Sequence, residues 1–189
     1  MSDKTLVLSL ARLPRALGST LHEDLVWVTP DDLGTPSMSA VPGVPLDISV
    51  DMTSVEDGVL VSLATSVDLV GECVRCLDEV REHHDVVSQE VYFEPGAPAL
   101  APADGEDEAA EDLFVIGERD TIDIENQLRD AIVPLVDPRP LCSDDCVGLC
   151  DVCGEKWVDL PQDHEHFVVD PRLASLASLL GQDSESERS

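Results

Sequence analysis

The stretch "GVPLDISVDMTSVEDGVLVSLATSVDLVGECVRC", residues 43–76, decides the fold. Its first part alternates apolar with polar residues, the apolar ones being Leu46, Ile48, Val50 and Met52. This period of two is typical of a strand with one buried face. "EDG" at 56–58 predicts a tight turn into a second strand at 60–70, and a third strand is predicted near 85–95. The stretch therefore predicts an antiparallel sheet built from hairpins.

The N-terminal part reads less clearly. Residues 5–13 alternate weakly and predict a short strand. Residues 14–42 are expected to be irregular, because prolines recur through them. We therefore treat residues 1–40 as a partly irregular N-terminal segment.

Helices are expected toward the C-terminus, after an acidic disordered loop at about 95–112 that offers little to bury. A helix is predicted from the spacing of Ile124, Leu128, Ile132 and Leu135, with Asp123 as N-cap and Pro134 as its end. Asp170 and Pro171 predict the start of another helix, and the tail 181–189 is expected to be disordered. The predicted class is α+β: an antiparallel β-rich domain with a few C-terminal helices and a cysteine-rich metal-knuckle region.

Charge narrows the classes of partner. The 189 residues carry 40 acidic and 11 basic side chains, a net charge of −29. Such a surface repels a polyanion within a Debye length of roughly 8–10 Å, whereas a basic protein or a metal cation is attracted. Neither a signal peptide nor an apolar run of membrane length stands out, so we expect a cytoplasmic protein without a membrane partner, in which cysteines stay reduced.

Six cysteines form two clusters. The first is a Cys-x2-Cys pair and the second contains another, and together they comprise Cys73, Cys76, Cys142, Cys146, Cys150 and Cys153. Two thiolates three residues apart can bind one tetrahedral metal ion, as in structural zinc sites. Gly154 suits the turn after the second thiolate. The spacing therefore predicts one or two structural Zn²⁺ ions.

The ligand sets stay open at this point. His164 and His166 lie close downstream, so eight ligands are present, enough for two four-coordinate sites. The simpler arrangement is one all-thiolate site from the two Cys-x2-Cys pairs, which leaves Cys142 and Cys146 free. The cysteines could also be redox-active thiols, free buried residues or disulfides, although neither pair lies in the βαβ setting of a thioredoxin-like site.

The remaining histidines and Trp157 are expected to be structural. His83 and His84 are interpreted as solvated strand residues, and Trp157 as a core residue rather than a stacking platform. No Ser/His/Asp arrangement, phosphate-binding loop or dinucleotide fingerprint stands out in the sequence. We therefore predict neither catalysis nor a small-molecule substrate.

Several motifs together resemble the YceD family, in an actinobacterial-type form. They are "GECVRCLDEV" (71–80), an acidic insertion, "IDIENQLRDAIVPLVDPRPLCSDDCVGLCDVCG" (122–154), "HEH" (164–166) and "DPRLASLASLL" (170–180). The resemblance covers about residues 40–180, so a YceD-like domain is placed at 41–180. It implies a bacterial cytosolic protein that supports accumulation of the large-subunit (23S) ribosomal RNA, with no known enzymatic activity.

The implied role and the charge need not conflict, because a factor that affects rRNA need not bind RNA. We expect a basic ribosomal protein or assembly factor as the partner. The alternative is direct RNA contact through a zinc-knuckle surface near Arg75 and Lys156, which the net charge disfavours.

Overall fold

The computed structural model of the protein describes residues 6–100 and 113–166. Most of the predicted acidic loop, the helix predicted from Asp170 and the tail 181–189 lie outside these residues. The chain divides into two compact units, residues 1–146 and residues 147–189. The strands and the α-helix described below all belong to the first unit.

A five-stranded antiparallel sheet dominates the first unit, and one long strand lies at its centre. The strands are β2 (Thr20–Val28), β3 (Met38–Ala40), β4 (Pro45–Val55), β5 (Gly58–Glu72) and β6 (Glu79–Phe93). β6 pairs with β5 along its whole length. On the other side of β5, β4 pairs with its first half and β3 with residues near its end. β2 pairs with β4.

Burial explains why these residues form strands. The predicted alternating set in β4 is buried, and β5 continues the same face with Val59, Val61, Leu63, Val67 and Leu69, each at most 2% exposed. Complete burial of one such side chain contributes about 1.5–3 kcal/mol. The hairpin predicted at 56–58 is present, since β4 ends at Val55 and β5 begins at Gly58. The prediction of an antiparallel α+β fold is confirmed.

Two smaller elements cover the inner face of this sheet. β1 (Val7–Ser9) pairs antiparallel with β7 (Thr121–Asp123), and the inward-facing Tyr92 of β6 donates its hydroxyl hydrogen bond to the Asp123 carbonyl at 3.1 Å. α1 (Glu125–Ile132) packs against β6. Its buried Gln127 donates from Nε2 to the Val61 carbonyl at 3.2 Å. The core of the first unit lies between these layers.

Helix α1 follows the predicted apolar spacing, but its N-cap residue is Ile124 and not the predicted Asp123. Ile124, Leu128 and Ile132 are fully buried. The Asp123 carboxylate accepts a hydrogen bond from the Glu125 amide at 3.0 Å, so it satisfies one free amide of the first turn. The helix ends at Ile132 and continues as a 3-10 turn, Val133–Leu135, because Pro134 cannot donate the next helical hydrogen bond. Further 3-10 turns are Leu10–Arg12, Pro98–Leu100 and Trp157–Asp159.

The expectation of an irregular segment at 14–42 is wrong, because β2 and β3 lie within it. β2 is a sheet edge, and its inward-facing Glu23 is paired with Arg12, so its pattern is not cleanly apolar on one side. β6 is also longer than predicted, since it begins at Glu79. His83 and His84 lie on β6, as expected, and neither joins a cysteine cluster.

The second unit is described over residues 147–166 and contains little regular structure. An isolated antiparallel bridge joins Leu149 to Lys156, and a 3-10 turn follows at Trp157–Asp159. Among these residues Cys150 is the one buried apolar side chain. Within residues 6–100 and 113–166, no helix has the length and apolar character needed to cross a bilayer.

Candidate metal centres

The first Cys-x2-Cys pair occupies the turn between β5 and β6. The Cys73 amide donates to the Asp78 carbonyl at 2.7 Å, and the Leu77 amide donates to the Cys73 carbonyl at 2.9 Å. The flanking residues Glu72 and Glu79 are the last paired residues of the long hairpin. These bonds fold residues 73–78 into a compact turn that presents both sulfurs together; we call it the first knuckle.

The second pair lies in a turn with the same hydrogen bonds, which we call the second knuckle. The Cys150 amide donates to the Glu155 carbonyl at 2.7 Å, and the Gly154 amide donates to the Cys150 carbonyl at 2.9 Å. The bridge between Leu149 and Lys156 occupies the position that the end of the long hairpin takes in the first knuckle. The two turns therefore have the same local structure. The first knuckle is flanked by the paired strands of the long hairpin, and the second by a single bridge.

Both knuckles require a left-handed residue directly after the second cysteine. Its φ is 76° at Gly154 and 62° at Leu77. Glycine adopts this conformation without steric cost, as the sequence indicates for Gly154. A leucine there costs roughly 1–2 kcal/mol, so Leu77 is held by the structure around it.

Four cysteines meet at what we call the first centre: Cys73, Cys76, Cys142 and Cys146. The first knuckle supplies two of them, and the loop that follows the last 3-10 turn of the first unit supplies the remaining two. Their sulfur atoms all lie within 4.8 Å of one another. Cys73 Sγ lies 3.8 Å from Cys146 Sγ, and Cys76 Sγ lies 3.4 Å from Cys142 Sγ.

Arg75 fastens the two halves of the first centre together. Its guanidinium donates from Nη1 to the Cys146 carbonyl at 2.8 Å and to the Asp144 carbonyl at 3.3 Å. The Val74 amide adds a backbone bond to the Pro140 carbonyl at 3.0 Å. From the sequence, Arg75 is named only in the alternative of direct RNA contact, and the spacing of the cysteines contains no signal for its role in joining the loop to the first knuckle.

Close packing beside the first knuckle also depends on a glycine. A Cβ on Gly71 would lie 2.4 Å from Met38 Cγ and 2.3 Å from the Ser37 carbonyl oxygen. Only glycine therefore lets β3 pair with the end of β5, two residues before Cys73.

Backbone amides favour thiolate at the first sulfur of each knuckle. The amides of Cys142, Arg75 and Cys76 lower the pKa of Cys73 to about 6. At Cys150 the amides of Cys153 and Val152 lower the pKa in the same way. Thiolate is the form that binds metal, so these amides prepare the knuckles for a cation.

At Cys76, the second sulfur of the first knuckle, the pKa is raised instead of lowered. The Asp78 amide acts to lower the pKa of Cys76, but desolvation and the adjacent Cys142 and Cys73 outweigh it and raise the pKa. Several thiolates within a few ångströms cannot all ionise without a compensating charge. A bound dication supplies that charge, so this arrangement suits a metal.

The second centre combines sulfur and nitrogen ligands: Cys150, Cys153, His164 and His166. Their ligand atoms also lie within 4.8 Å of one another. Cys153 Sγ lies 3.6 Å from His164 Nε2, and the rings of His164 and His166 are 4.4 Å apart and nearly perpendicular. Cys150 is buried, whereas Cys153 and His166 are exposed.

The distances fit a tetrahedral zinc ion in both centres. With Zn–S of about 2.3 Å, two sulfurs of a tetrahedron lie about 3.8 Å apart, as Cys73 and Cys146 do, whereas Cys76 and Cys142 lie closer together, at 3.4 Å. With Zn–N of about 2.0–2.1 Å, a sulfur and a nitrogen lie about 3.6 Å apart, as Cys153 and His164 do. Both cysteine-rich groups can therefore hold a metal ion, and the residues present supply all four ligands in each.

All eight predicted ligand residues are thus brought together in two groups of four. The arrangement corresponds to the two-site possibility from the sequence. The simpler arrangement paired Cys73 and Cys76 with the second knuckle, whereas the structure pairs them with Cys142 and Cys146.

The expectation that Trp157 is a core residue is wrong. It is 41% exposed, and its ring meets His164 edge-on at 5.6 Å between centroids. The described part of its unit has no apolar core in which an indole can be buried, so the ring packs beside the second centre instead.

Known proteins support a family assignment for this architecture. An uncharacterized protein of Mycobacterium bovis and one of Mycobacterium tuberculosis are each 33% identical over 183 residues, covering 97% of this chain and 85% of their own length. A third, from Mycobacterium leprae, is 33% identical over 75% of this chain and 62% of its own.

No solved structure matches the chain. The profile of the family described as "Large ribosomal RNA subunit accumulation protein YceD" matches residues 61–180, which is more than half of the sequence and includes both centres. The chain belongs to the YceD family.

Proposed function

We propose that this protein is a non-enzymatic factor that supports accumulation of the large-subunit ribosomal RNA, holds two structural zinc ions and acts through a basic protein partner. The family name supports the role in rRNA accumulation. The observation that supports the structural zinc ions is the closed ligand set of each centre. Catalytic zinc keeps an open position for water or substrate, whereas structural zinc takes four protein ligands.

The donor atoms favour zinc over competing ions. Zinc binds well to four thiolates, or to two thiolates and two imidazoles, in a tetrahedral arrangement. Mg²⁺ and Ca²⁺ bind oxygen ligands such as carboxylates and are not expected at these sites. An iron–sulfur cluster also uses four thiolates, but its usual ligand spacing is absent from this sequence. Zinc content per chain therefore tests this part of the proposal directly.

The outer face of the five-stranded sheet supports a cationic partner. It bears exposed carboxylates on four strands, namely Asp24, Asp47, Asp51, Asp68 and Asp85. Arg81 lies on the same face and is paired with Glu79 at 2.7 Å. His22 and His83 also lie there, beside Asp51 and Asp68, so Asp47 is the carboxylate of this set without such a contact. Such a face attracts a basic protein at long range and repels phosphates. The carbonyl bonds of Arg75 also reduce what its guanidinium can offer to RNA.

The role in rRNA accumulation is tested in cells that lack the protein. Wild type, Cys76→Ser and the surface variant Val87→Ala are each restored, and the ratio of large- to small-subunit rRNA is measured. Val87 is 73% exposed and belongs to neither ligand set, so its variant controls for expression. We expect wild type and Val87→Ala to restore the ratio and Cys76→Ser to fail. A ratio that does not change on removing the protein contradicts the proposed role.

The nature of the partner is tested with the purified protein. Elemental analysis should give two zinc ions per chain. Purified basic large-subunit proteins should bind with an affinity that falls steeply with salt, whereas naked large-subunit rRNA should bind little at physiological salt. Tight, salt-resistant binding to the naked RNA would replace the protein partner with RNA.

A further inference from the structure

The second knuckle exposes large apolar side chains at its open end. Val147 is 64% exposed, Trp157 41% and Val158 75%. The Trp157 amide donates to the Gly148 carbonyl at 3.0 Å, next to the bridge between Leu149 and Lys156. These bonds bring the backbones of Val147 and Val158 to the same end of the hairpin, and Trp157 precedes Val158 there. We call Val147, Trp157 and Val158 the open-end patch.

Acidic residues surround the open-end patch in sequence. Residues 147–166 contain five carboxylates, all exposed: Asp151, Glu155, Asp159, Asp163 and Glu165. Lys156 is the one basic residue in this range. Exposed apolar side chains with carboxylates close to them in the sequence, which we call the carboxylate rim, match the composition of a protein-binding surface, and tryptophan is among the residues that contribute most binding energy there.

Trp157 also connects the patch to the second centre. Its ring meets the ring of His164 edge-on, and Nε2 of His164 lies 3.6 Å from Cys153 Sγ. Because residues 147–166 bury no apolar side chain besides Cys150, the ligands rather than a core position the patch. A metal at the second centre would therefore hold Trp157 in a defined orientation.

We propose that the open-end patch is the docking surface for a protein segment in which basic residues flank apolar side chains. The apolar side chains pack on Val147, Val158 and the indole, while arginine or lysine pairs with the carboxylate rim and the face of the indole. This inference rests on the proposed function, since it names the surface that the basic partner contacts. The net charge of −29 is the reason for choosing a cationic occupant.

The test uses the full-length, zinc-loaded protein and defined peptides. One peptide alternates arginine with leucine, and a second alternates arginine with glycine at equal charge. Calorimetry should show tighter binding of the first peptide. Trp157→Ala should weaken that binding about tenfold or more, and Trp157→Phe should weaken it less. Val87→Ala removes an exposed valine outside the second unit and should leave the dissociation constant unchanged. Zinc content of each variant shows that the second centre has been retained.

Several outcomes would overturn the inference. Equal binding of both peptides, or unchanged binding by Trp157→Ala, would show that charge alone attracts the cation. Protection of Trp157 from acrylamide quenching in the unbound protein would assign the patch to another part of this chain. Dimerisation that Trp157→Ala abolishes would assign it to a second copy. Loss of RNA binding, rather than peptide binding, in Trp157→Ala would assign it to RNA.

Failure of this inference is distinguishable from failure of the proposed function. The peptide titration uses purified protein and does not depend on ribosome assembly. Conversely, a Trp157→Ala variant that loses the peptide but restores the rRNA ratio in cells would keep the docking surface and separate it from the role in rRNA accumulation.

Discussion

Replacing Cys142 by serine tests whether the first centre holds the first unit together. Cys142 Sγ lies 3.4 Å from Cys76 Sγ, although 66 residues separate them in the chain. A metal bound between them therefore closes a long loop, and loss of this ligand reopens it. The side chain itself is exposed, so the substitution removes little packing.

The size of the effect follows from the length of that loop. Closing 66 residues removes about 4 kcal/mol of conformational entropy from the unfolded chain, by the relation used for covalent crosslinks. For a protein of this size 1 kcal/mol shifts the melting temperature by about 2–4 °C, so a fall of roughly 8–16 °C is expected. Arg75 still donates hydrogen bonds to the same loop when the metal ligand is removed, so part of the crosslink remains. We therefore expect a fall in melting temperature in the lower part of this range.

The assay is calorimetric melting together with zinc analysis. Ser143→Ala is the matched control, because Ser143 is exposed in the same loop and supplies no ligand. Cys142→Ser should melt early and carry one zinc ion, whereas Ser143→Ala should melt and bind like wild type. A Cys142→Ser protein that keeps two zinc ions and melts within about 2 °C of wild type would refute the reasoning.

Three further predictions concern the second centre and the sheet. A chelator added to the zinc-loaded protein should remove zinc in two phases, and the more exposed second centre should lose its ion first. A metal-sensitive dye measures both phases, and a single phase would contradict this order. Gly154→Ala should weaken zinc binding at the second centre about fivefold, because an alanine in the left-handed conformation costs about 1 kcal/mol. Gly43→Ala is the control: Gly43 has a similar φ of 75° but lies outside both knuckles, so this variant should leave zinc affinity unchanged. Asp51→Asn should lower the raised pKa of His22 toward its ordinary value and leave that of His83 raised, as proton NMR titration would show. Because the folded pKa of His22 is raised, its contribution to stability is present below about pH 6.5 and is lost as the pH rises through the folded value, a dependence that Asp51→Asn should reduce.

The central hairpins were predictable because their residues bury one face continuously. The alternation from Leu46 to Met52 and the turn at 56–58 lie where the structure has them. β2 was missed, because an edge strand tolerates an inward-facing charge such as Glu23 once Arg12 pairs with it. Periodicity alone does not identify a strand of that kind.

The candidate ligands were also predictable, but their grouping was not. The Cys-x2-Cys spacing predicts that Cys73 lies beside Cys76 and that Cys150 lies beside Cys153. The structure has each pair in one turn. Which second pair of ligands completes each centre depends on the path of the chain between the pairs, and local spacing contains no information about that path. Alignment of the two knuckles would have placed Leu77 opposite Gly154 and so predicted a left-handed leucine.

The separation of the ligands along the chain has a consequence for the order of events during synthesis. Cys146 lies beside Cys73 in the first centre but follows it by 73 positions in the chain. When the first knuckle has been synthesised, the first centre therefore has only two of its four ligands. The second centre needs only a short stretch of chain, because His164 follows Cys153 by 11 positions. Local contacts form faster than distant ones. A complete chain that folds or refolds is therefore expected to bind metal at the second centre quickly, whereas the first centre closes only when the sheet and α1 have brought its two halves together.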